Sequence, residues 1–124
     1  LLEEIYPFRE HGIIDTMIIQ LVADGLDTVI TGQSEERSIW VTKSDETKLL
    51  DLEDNVAMPR KLKKSKATIG MIGMCCVTHI SSLHNNSIFS GKTGIFEIND
   101  ACSKISVRNS EDLKLAEIIN DNLT

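Results

Sequence analysis

The sequence predicts an α/β fold with a mixed sheet, on two observations. Apolar residues recur at helical spacing near both ends of the chain, after Gly12 and after Asn109. Between these stretches, short apolar runs of strand length alternate with polar turns. Helices that alternate with apolar strands are typical of α/β proteins, and 124 residues suffice for one domain with a real core. We expect the sheet to contain both parallel and antiparallel neighbours.

The first predicted element is an amphipathic helix that begins after Gly12 and ends near Gly25. Glycine is suited to this end because the residue after a helix often adopts the left-handed backbone conformation. A buried strand is predicted next, in "LDTVITG" at 26–32. The apolar face of the helix is formed by Ile13, Ile14, Met17, Ile18, Leu21 and Val22.

The middle of the chain is predicted to hold a second short strand and two polar segments. The strand is "SIWVT" at 38–42, and the acidic "DETKLLDLEDN" at 45–55 predicts an exposed turn or hairpin. Pro59 then interrupts regular structure in "MPRKLKKSK" at 58–66, which predicts a loop. Its crowded cations could clamp phosphates, although a lysine-rich loop is more often simply solvated.

The most apolar stretch, "ATIGMIGMCCVTH" at 67–79, predicts one long central strand. A strand explains it better than a helix because Gly70 and Gly73 would weaken a helix. One or two helical turns are predicted at 79–84, then a strand in "TGIFEI" at 93–98 and a loop in "NDACSK" at 99–104.

The last unit, "SKISVRNSEDLKLAE" at 103–117, predicts a strand, a sharp polar turn and a helix. Ile105 and Val107 alternate with polar residues, while Leu113, Ala116 and Ile119 recur at helical spacing. In this turn Asn109 can cap the helix, and Asp112 can complete the cap three residues later. Ligands often bind where strands of open α/β sheets end, so residues 106–112 are the first candidate site. The alternative is a purely structural turn.

Composition excludes several classes of protein. The net charge of −6 argues against a nucleic-acid partner, and no apolar run is long enough to span a membrane. The cysteines, Cys75, Cys76 and Cys102, are odd in number and two are adjacent, which argues against a disulfide framework. We therefore expect a reducing, cytoplasmic setting.

Three catalytic or binding motifs are incomplete. "SIFSGKTGIF" ends like a phosphate-binding P-loop, but Asn86 replaces its first glycine and a strand is predicted to follow. Cys76 and His79 have chelating spacing and His84 is near, but no second pair of ligands completes a zinc site. There is no Gly-x-Ser-x-Gly elbow, so a hydrolase triad is not supported.

In their order, the segments resemble the C-terminal half of the cytidylyltransferases that activate acidic sugars, the acylneuraminate (CMP-sialic acid) synthetases. "YPFRE" at 6–10 resembles the family's Ser-Pro-Leu-Arg turn, and residues 13–32 resemble the helix and strand that follow it. "MPRK" falls at a basic element, 67–78 at a strand that carries Glu-Asn-Gly, and "GIFEI" before the final unit. "ISVRNSEDLKLAE" aligns with Ile-Asp-Ile-Asp-Thr-x-x-Asp-Leu.

The chain departs from the family pattern in three places. The two aspartates that hold metal in the family correspond to Ser106 and Arg108, which removes the anionic ligands that Mg²⁺ prefers. The sugar-contacting glutamine corresponds to Glu3. The glycine-rich segment that holds CTP in the family has no counterpart in these residues.

The resemblance implies a Rossmann-like, GT-A-like nucleotidyltransferase fold with a mixed sheet and flanking helices, of which residues 1–124 form the C-terminal half. Residues 33–66 would be a dimerisation or lid insertion, with a homodimer formed through 36–66. The N-terminal CTP-binding half would be absent, so these residues alone are expected to be inactive.

The implied reaction is CMP transfer from CTP to a sugar acid with release of pyrophosphate, assisted by Mg²⁺ in the intact enzyme. Arg9 and Arg60 are the expected anion contacts, Gly73 the close approach to the sugar, and Ser106 and Arg108 the catalytic positions. Two alternatives stay open. Loss of both aspartates favours a non-catalytic relative that keeps the fold for assembly or regulation, and a glycosyltransferase could share the sheet topology.

Overall fold

The computed structural model describes residues 1–50, 67–83, 87–89 and 91–123. The described part contains three helices and six strands that follow one another in mixed order. In chain order they are α1 (Ile13–Ala23), β1 (Thr28–Glu35), β2 (Ile39–Lys43), β3 (Glu46–Leu50), β4 (Ala67–Gly70), β5 (Cys76–Thr78), α2 (Ile80–Leu83), β6 (Thr93–Glu97) and α3 (Ser110–Leu123).

The chain forms two compact units. The first consists of Leu1–Gly32 and Gly70–Thr124, and the second of Gln33–Ile69. The second unit includes the predicted insertion at 33–66. The role of that insertion in dimerisation stays a prediction.

The main sheet is built around β1, which has neighbours on both edges. It pairs antiparallel with β5, with Val29 opposite Val77, and parallel with β6, with Ile30 opposite Ile95. The strand order is β4-β1-β5, with β6 also paired to β1. The sequence-based prediction of a mixed α/β sheet is therefore confirmed.

The prediction of one long strand at 67–79 is wrong. The stretch forms two short strands, β4 and β5, separated by a turn at 72–74. Thr31 of β1 holds both ends of this interruption, because its amide donates to Cys75 O and its carbonyl accepts from Met71 N. Its side-chain hydroxyl also donates to Met71 O. The chain between these two points therefore bulges out of the ladder.

Helix α1 has the predicted position and covers the core. Gly12 at its start and Gly25 after its end have φ values of +75° and +60°, a left-handed conformation that glycine adopts without steric cost. The helix buries Ile13, Met17 and Leu21, one side chain per turn. The core cluster contains Tyr6, Ile13, Met17, Leu21, Leu26, Val29, Met71, Met74, Cys75 and Ile98.

The buried face of α1 is narrower than predicted. Ile14, Ile18 and Val22 are 42%, 43% and 71% exposed, although they alternate with the buried stripe at the spacing of one wide apolar face. The sequence pattern gives the direction of this face, whereas its buried width depends on how much of the chain packs against it.

Strands β2 and β3 form the predicted hairpin in the second unit. Their register pairs Trp40 with Leu49 and Thr42 with Thr47, whose hydroxyl groups lie 2.8 Å apart. The two-residue turn between them has positive φ at Ser44 and Asp45. Two positive φ values fit the twist of antiparallel strands, and aspartate tolerates them better than most residues.

The C-terminal segment at 103–117 differs from the prediction in one element. Residues 105–108 belong to no helix or strand, and their backbone link to the N-terminal segment is one bond, from Val107 N to Ile5 O at 2.8 Å. The predicted helical turn at 79–84 is present as α2, and the strand in "TGIFEI" is present as β6. Helix α3 begins where the cap predicts, and it buries Ala116.

We predict that Met17→Ala lowers the free energy of unfolding by about 2–5 kcal/mol, because Met17 is fully buried and its loss leaves a cavity. Ile19→Ala, on the same helix and 67% exposed, is the control and should change it by less than about 0.5 kcal/mol. Urea denaturation measures both. Equal effects would contradict this packing of α1.

Candidate functional site

The N-terminal segment of the chain is held against the turn at 72–74. Leu1 exchanges two backbone bonds with Cys76, its terminal amine donating to Cys76 O at 2.7 Å and its carbonyl accepting from Cys76 N at 3.0 Å. Glu3 N then donates to Gly73 O at 2.7 Å. Residues 1–3 thus run along the edge formed by β5 and the turn that precedes it.

Arg9 fastens this arrangement with its side chain. Its Nε donates to Met74 O at 2.5 Å, and its Nη2 donates to Glu3 O and, at 3.4 Å, to Gly73 O. The guanidinium therefore binds backbone carbonyls from two parts of the chain. The described residues leave Nη1 without a hydrogen bond, and the predicted anion contact of Arg9 stays a prediction for that group.

Gly73 lies in close approach to a side chain of the same protein, and its predicted approach to the sugar stays a prediction. A Cβ built on Gly73 would overlap the carboxyl group and Cγ of Glu3. The glycine is buried while Glu3 is exposed. The structure therefore places together the two positions that the resemblance assigns to the sugar.

Ser106 and Arg108 reach the same region through the backbone bond between Val107 and Ile5. Arg108 is exposed, and its Nε lies 3.5 Å from the Ser106 hydroxyl oxygen. Of the five predicted site residues, Arg9 lies within residues 3–9. Three others lie on segments that are hydrogen-bonded to residues 3–9, namely Gly73, Ser106 and Arg108. Arg60 lies outside the described residues.

The polar turn before α3 has the predicted cap. Asn109 Oδ1 accepts hydrogen bonds from Glu111 N at 3.0 Å and from Asp112 N at 2.8 Å. Asp112 Oδ2 accepts from Arg108 N at 3.0 Å, one residue earlier than in the usual capping box. The Arg108 side chain is exposed, while its backbone amide is held by Asp112.

The residues of this turn do not fit a Mg²⁺ ion. Magnesium prefers carboxylate oxygens, whereas Ser106 and Arg108 offer a hydroxyl group and a cation. Glu111 and Asp112 are the nearest acids in sequence, and one oxygen of Asp112 already accepts the Arg108 amide. Within the described residues, no group of three or more His, Cys, Asp or Glu is placed to hold a metal ion.

The P-loop-like and cysteine motifs have structural roles. Lys92 N donates to Asp27 Oδ2 at 2.7 Å, and a Cβ on Gly91 would overlap the Asp27 carboxyl group, so the P-loop-like turn packs against the Asp27 side chain.

Cys75 and Cys76 are buried, and burial raises the pKa of both thiols. They are therefore protonated at neutral pH and are poor metal ligands. Asn86 and His84 lie outside the described residues.

Sequence reasoning missed Thr31, and it named Glu3 only as the counterpart of the family's sugar-contacting glutamine, without its contact with Gly73. Thr31 determines where the turn at 72–74 begins and ends, and the Glu3 side chain covers Gly73. A threonine in a strand and a glutamate near the chain start carry no local signal of either contact. Only the pairing of Thr31 with Met71 and of Glu3 with Gly73, segments far apart in sequence, produces these contacts.

No protein-family model, no curated protein sequence and no solved structure matches this chain. Within the part of the chain that the structure describes, no helix has the length and apolar character needed to cross a bilayer.

We predict that Asn109→Ala lowers the free energy of unfolding by about 1 kcal/mol, because two amides at the start of α3 lose their acceptor. Asn120→Ala, at an exposed position inside the same helix, is the matched control and should have a smaller effect. Thermal unfolding followed by circular dichroism compares them. If the two variants unfold alike, the cap does not stabilise α3.

Proposed function

We propose that this chain is the C-terminal part of a cytidylyltransferase domain that transfers CMP from CTP to a sugar acid. The supporting observation is the meeting of Arg9, Gly73 and the Ser106–Arg108 segment around residues 3–9. These residues are far apart in sequence, yet the resemblance assigns all of them to one site. A Rossmann-like, GT-A-like sheet is part of the same proposal.

In the proposed reaction, a hydroxyl oxygen of the sugar acid attacks the α-phosphorus of CTP. A new O–P bond forms, the bond to the bridging oxygen of the β-phosphate breaks, and pyrophosphate leaves with the electron pair. The hydroxyl proton passes to water. Catalysis of this kind rests mainly on positioning and on stabilising the phosphate charge.

The exposed guanidinium of Arg108 is the group we assign to the phosphates. An arginine keeps its proton at all physiological pH values and can donate two parallel hydrogen bonds to a phosphate. Its backbone is held by Asp112 at the start of α3, so the charge projects from a fixed point. Arg108 would thus supply positive charge where the resembling family has metal-binding aspartates.

A non-catalytic relative is the second candidate function. It is favoured by the same two positions, because Ser106 and Arg108 replace both metal-binding carboxylates of the resembling family. The two candidates differ in one measurable property, which is turnover.

The test of the proposed function is release of pyrophosphate by the full-length protein from CTP and a panel of sugar acids. Turnover that requires both substrates supports the cytidylyltransferase. A folded protein that binds CTP or the sugar acid without turnover supports the non-catalytic relative.

In the same assay, Arg108→Ala should lower kcat by about a hundredfold or more, the effect of removing one charge-stabilising donor. Lys114→Ala removes an exposed cation one turn into α3 and is the control, which should leave kcat unchanged. The fold should survive in both variants because the Arg108 side chain has one long polar contact. Unchanged turnover in Arg108→Ala would make this turn structural.

The homodimer is proposed to form through residues 36–66, of which 36–50 are described. In the β2–β3 hairpin, Trp40, Val41 and Leu50 are 59%, 40% and 51% exposed. A two-stranded hairpin with exposed apolar side chains gains stability when another surface covers it.

We predict that Trp40→Lys raises the dimer dissociation constant of the full-length protein by about tenfold or more, since a charge replaces an exposed aromatic side chain that the proposed dimer would bury. Ile19→Lys places the same charge at an exposed apolar position outside the segment and should leave association unchanged. Sedimentation equilibrium measures both variants. A wild-type protein that stays monomeric at high concentration contradicts the proposed dimer.

A further inference from the structure

The Glu3 carboxyl group has a defined position in the candidate site. Its backbone is anchored on both sides, since Glu3 N donates to Gly73 O and Glu3 O accepts from Arg9 Nη2. Its side chain lies over the α-carbon of Gly73, where any larger residue would displace it. The carboxylate is therefore presented at the turn by the fold itself.

This carboxylate has unused hydrogen-bonding capacity. The side chain is exposed, and none of the described residues donates a hydrogen bond to its oxygens. An ionised carboxylate only accepts hydrogen bonds, so a ligand group that lies against it must be a donor. A cationic donor gains most, because charge-assisted hydrogen bonds are shorter and stronger than neutral ones.

A positive group is bound to the same turn. The Arg9 guanidinium binds the backbone of the same two residues, Glu3 and Gly73, and the described residues leave its Nη1 without a partner. Nη1 offers two N–H donors that suit a carboxylate. The turn at Gly73 thus holds a carboxylate and a guanidinium that do not pair with each other, because the described residues show no ion pair between Glu3 and Arg9.

We propose that this pair selects a sugar acid whose amino group is free rather than acylated, an inference that rests on the proposed cytidylyltransferase function. The ammonium of such a substrate donates to Glu3, and its carboxylate accepts from Arg9. An N-acyl group lacks the charge, has one N–H in place of three, and brings a carbonyl oxygen that Glu3 repels. The two charges of the site therefore match a zwitterionic substrate.

The test compares two sugar acids that differ in one group, a free amine or an N-acetyl amide, with the full-length protein and CTP. Wild-type kcat/KM should favour the free amine by about tenfold or more, the size expected for one hydrogen bond to a charged group. Glu3→Gln keeps the shape of the side chain and removes the charge, so it should abolish this preference. Glu4→Gln removes an exposed neighbouring carboxylate and should retain it.

Two results would overturn the assignment of Glu3. One is a wild-type protein that turns over the N-acetyl acid as well as the free amine or better. The other is an unchanged preference in Glu3→Gln.

A lack of turnover with both acids would reject the proposed function and leave Glu3 to be decided by calorimetry. Tighter binding of the free amine that disappears in Glu3→Gln supports the site. Equal binding of the two acids, or binding of neither, rejects it.

Discussion

The hydrogen bonds between Thr31 and the chain at Met71 and Cys75 are the interaction on which the rest of the first unit depends. The Thr31 backbone bonds to both ends of this stretch, and its fully buried hydroxyl donates to Met71 O with Cys75 O 3.4 Å away. Leaving one such carbonyl unpaired inside the core would cost about 1–3 kcal/mol. The hydrogen bonds of Thr31 therefore determine where the chain leaves the β-sheet and returns to it, and they place Gly73 in the turn between these two points.

The segments that form the candidate site are connected to the turn at 72–74 by hydrogen bonds, some directly and some through residues 3–9. Glu3 and Arg9 bind its carbonyls, and Ile5, which lies between them, accepts the amide of Val107. Hydrogen bonds to backbone groups thus connect the segment that carries Arg108 to the turn that carries Gly73, beside the packing of Ile5 and Tyr6 in the core. Backbone bonds tolerate many side-chain substitutions, so such a site can change its charged groups without losing its geometry.

Local signals in the sequence predicted the elements whose stability is local. The α1 helix lies between its two glycines, the β2–β3 hairpin has its turn, and Asn109 caps α3 as expected. The errors occurred where a distant partner decides the outcome. Thr31 interrupts the strand predicted at 67–79, and residues 105–108 find one bond to Ile5 where a strand needs a full ladder.

The same distinction applies to the site. The predicted positions Arg9 and Gly73 are 64 residues apart, and no periodicity or turn signal relates them. Their order along the chain resembles a known family, and this resemblance alone pointed to a common site. The resemblance gave no indication that Nε and Nη2 of Arg9 would donate hydrogen bonds to backbone carbonyls. A residue that fits a binding motif can also hold the fold, and both uses compete for the same donors.

The strength with which Arg108 could attract an anion depends on how much water surrounds its side chain. Its side chain is exposed, and two unit charges 4 Å apart in bulk water attract each other by about 1 kcal/mol, against about 4 kcal/mol at the effective dielectric of a protein surface. Glu111 and Asp112 at the start of α3 add negative charge nearby, although Asp112 accepts the Arg108 amide and is fixed by it. A single guanidinium also carries half the charge of Mg²⁺. In the proposed reaction, the contribution of Arg108 would therefore depend on how much water a bound nucleotide displaces from its side chain, and the presence of the cation alone would not be sufficient.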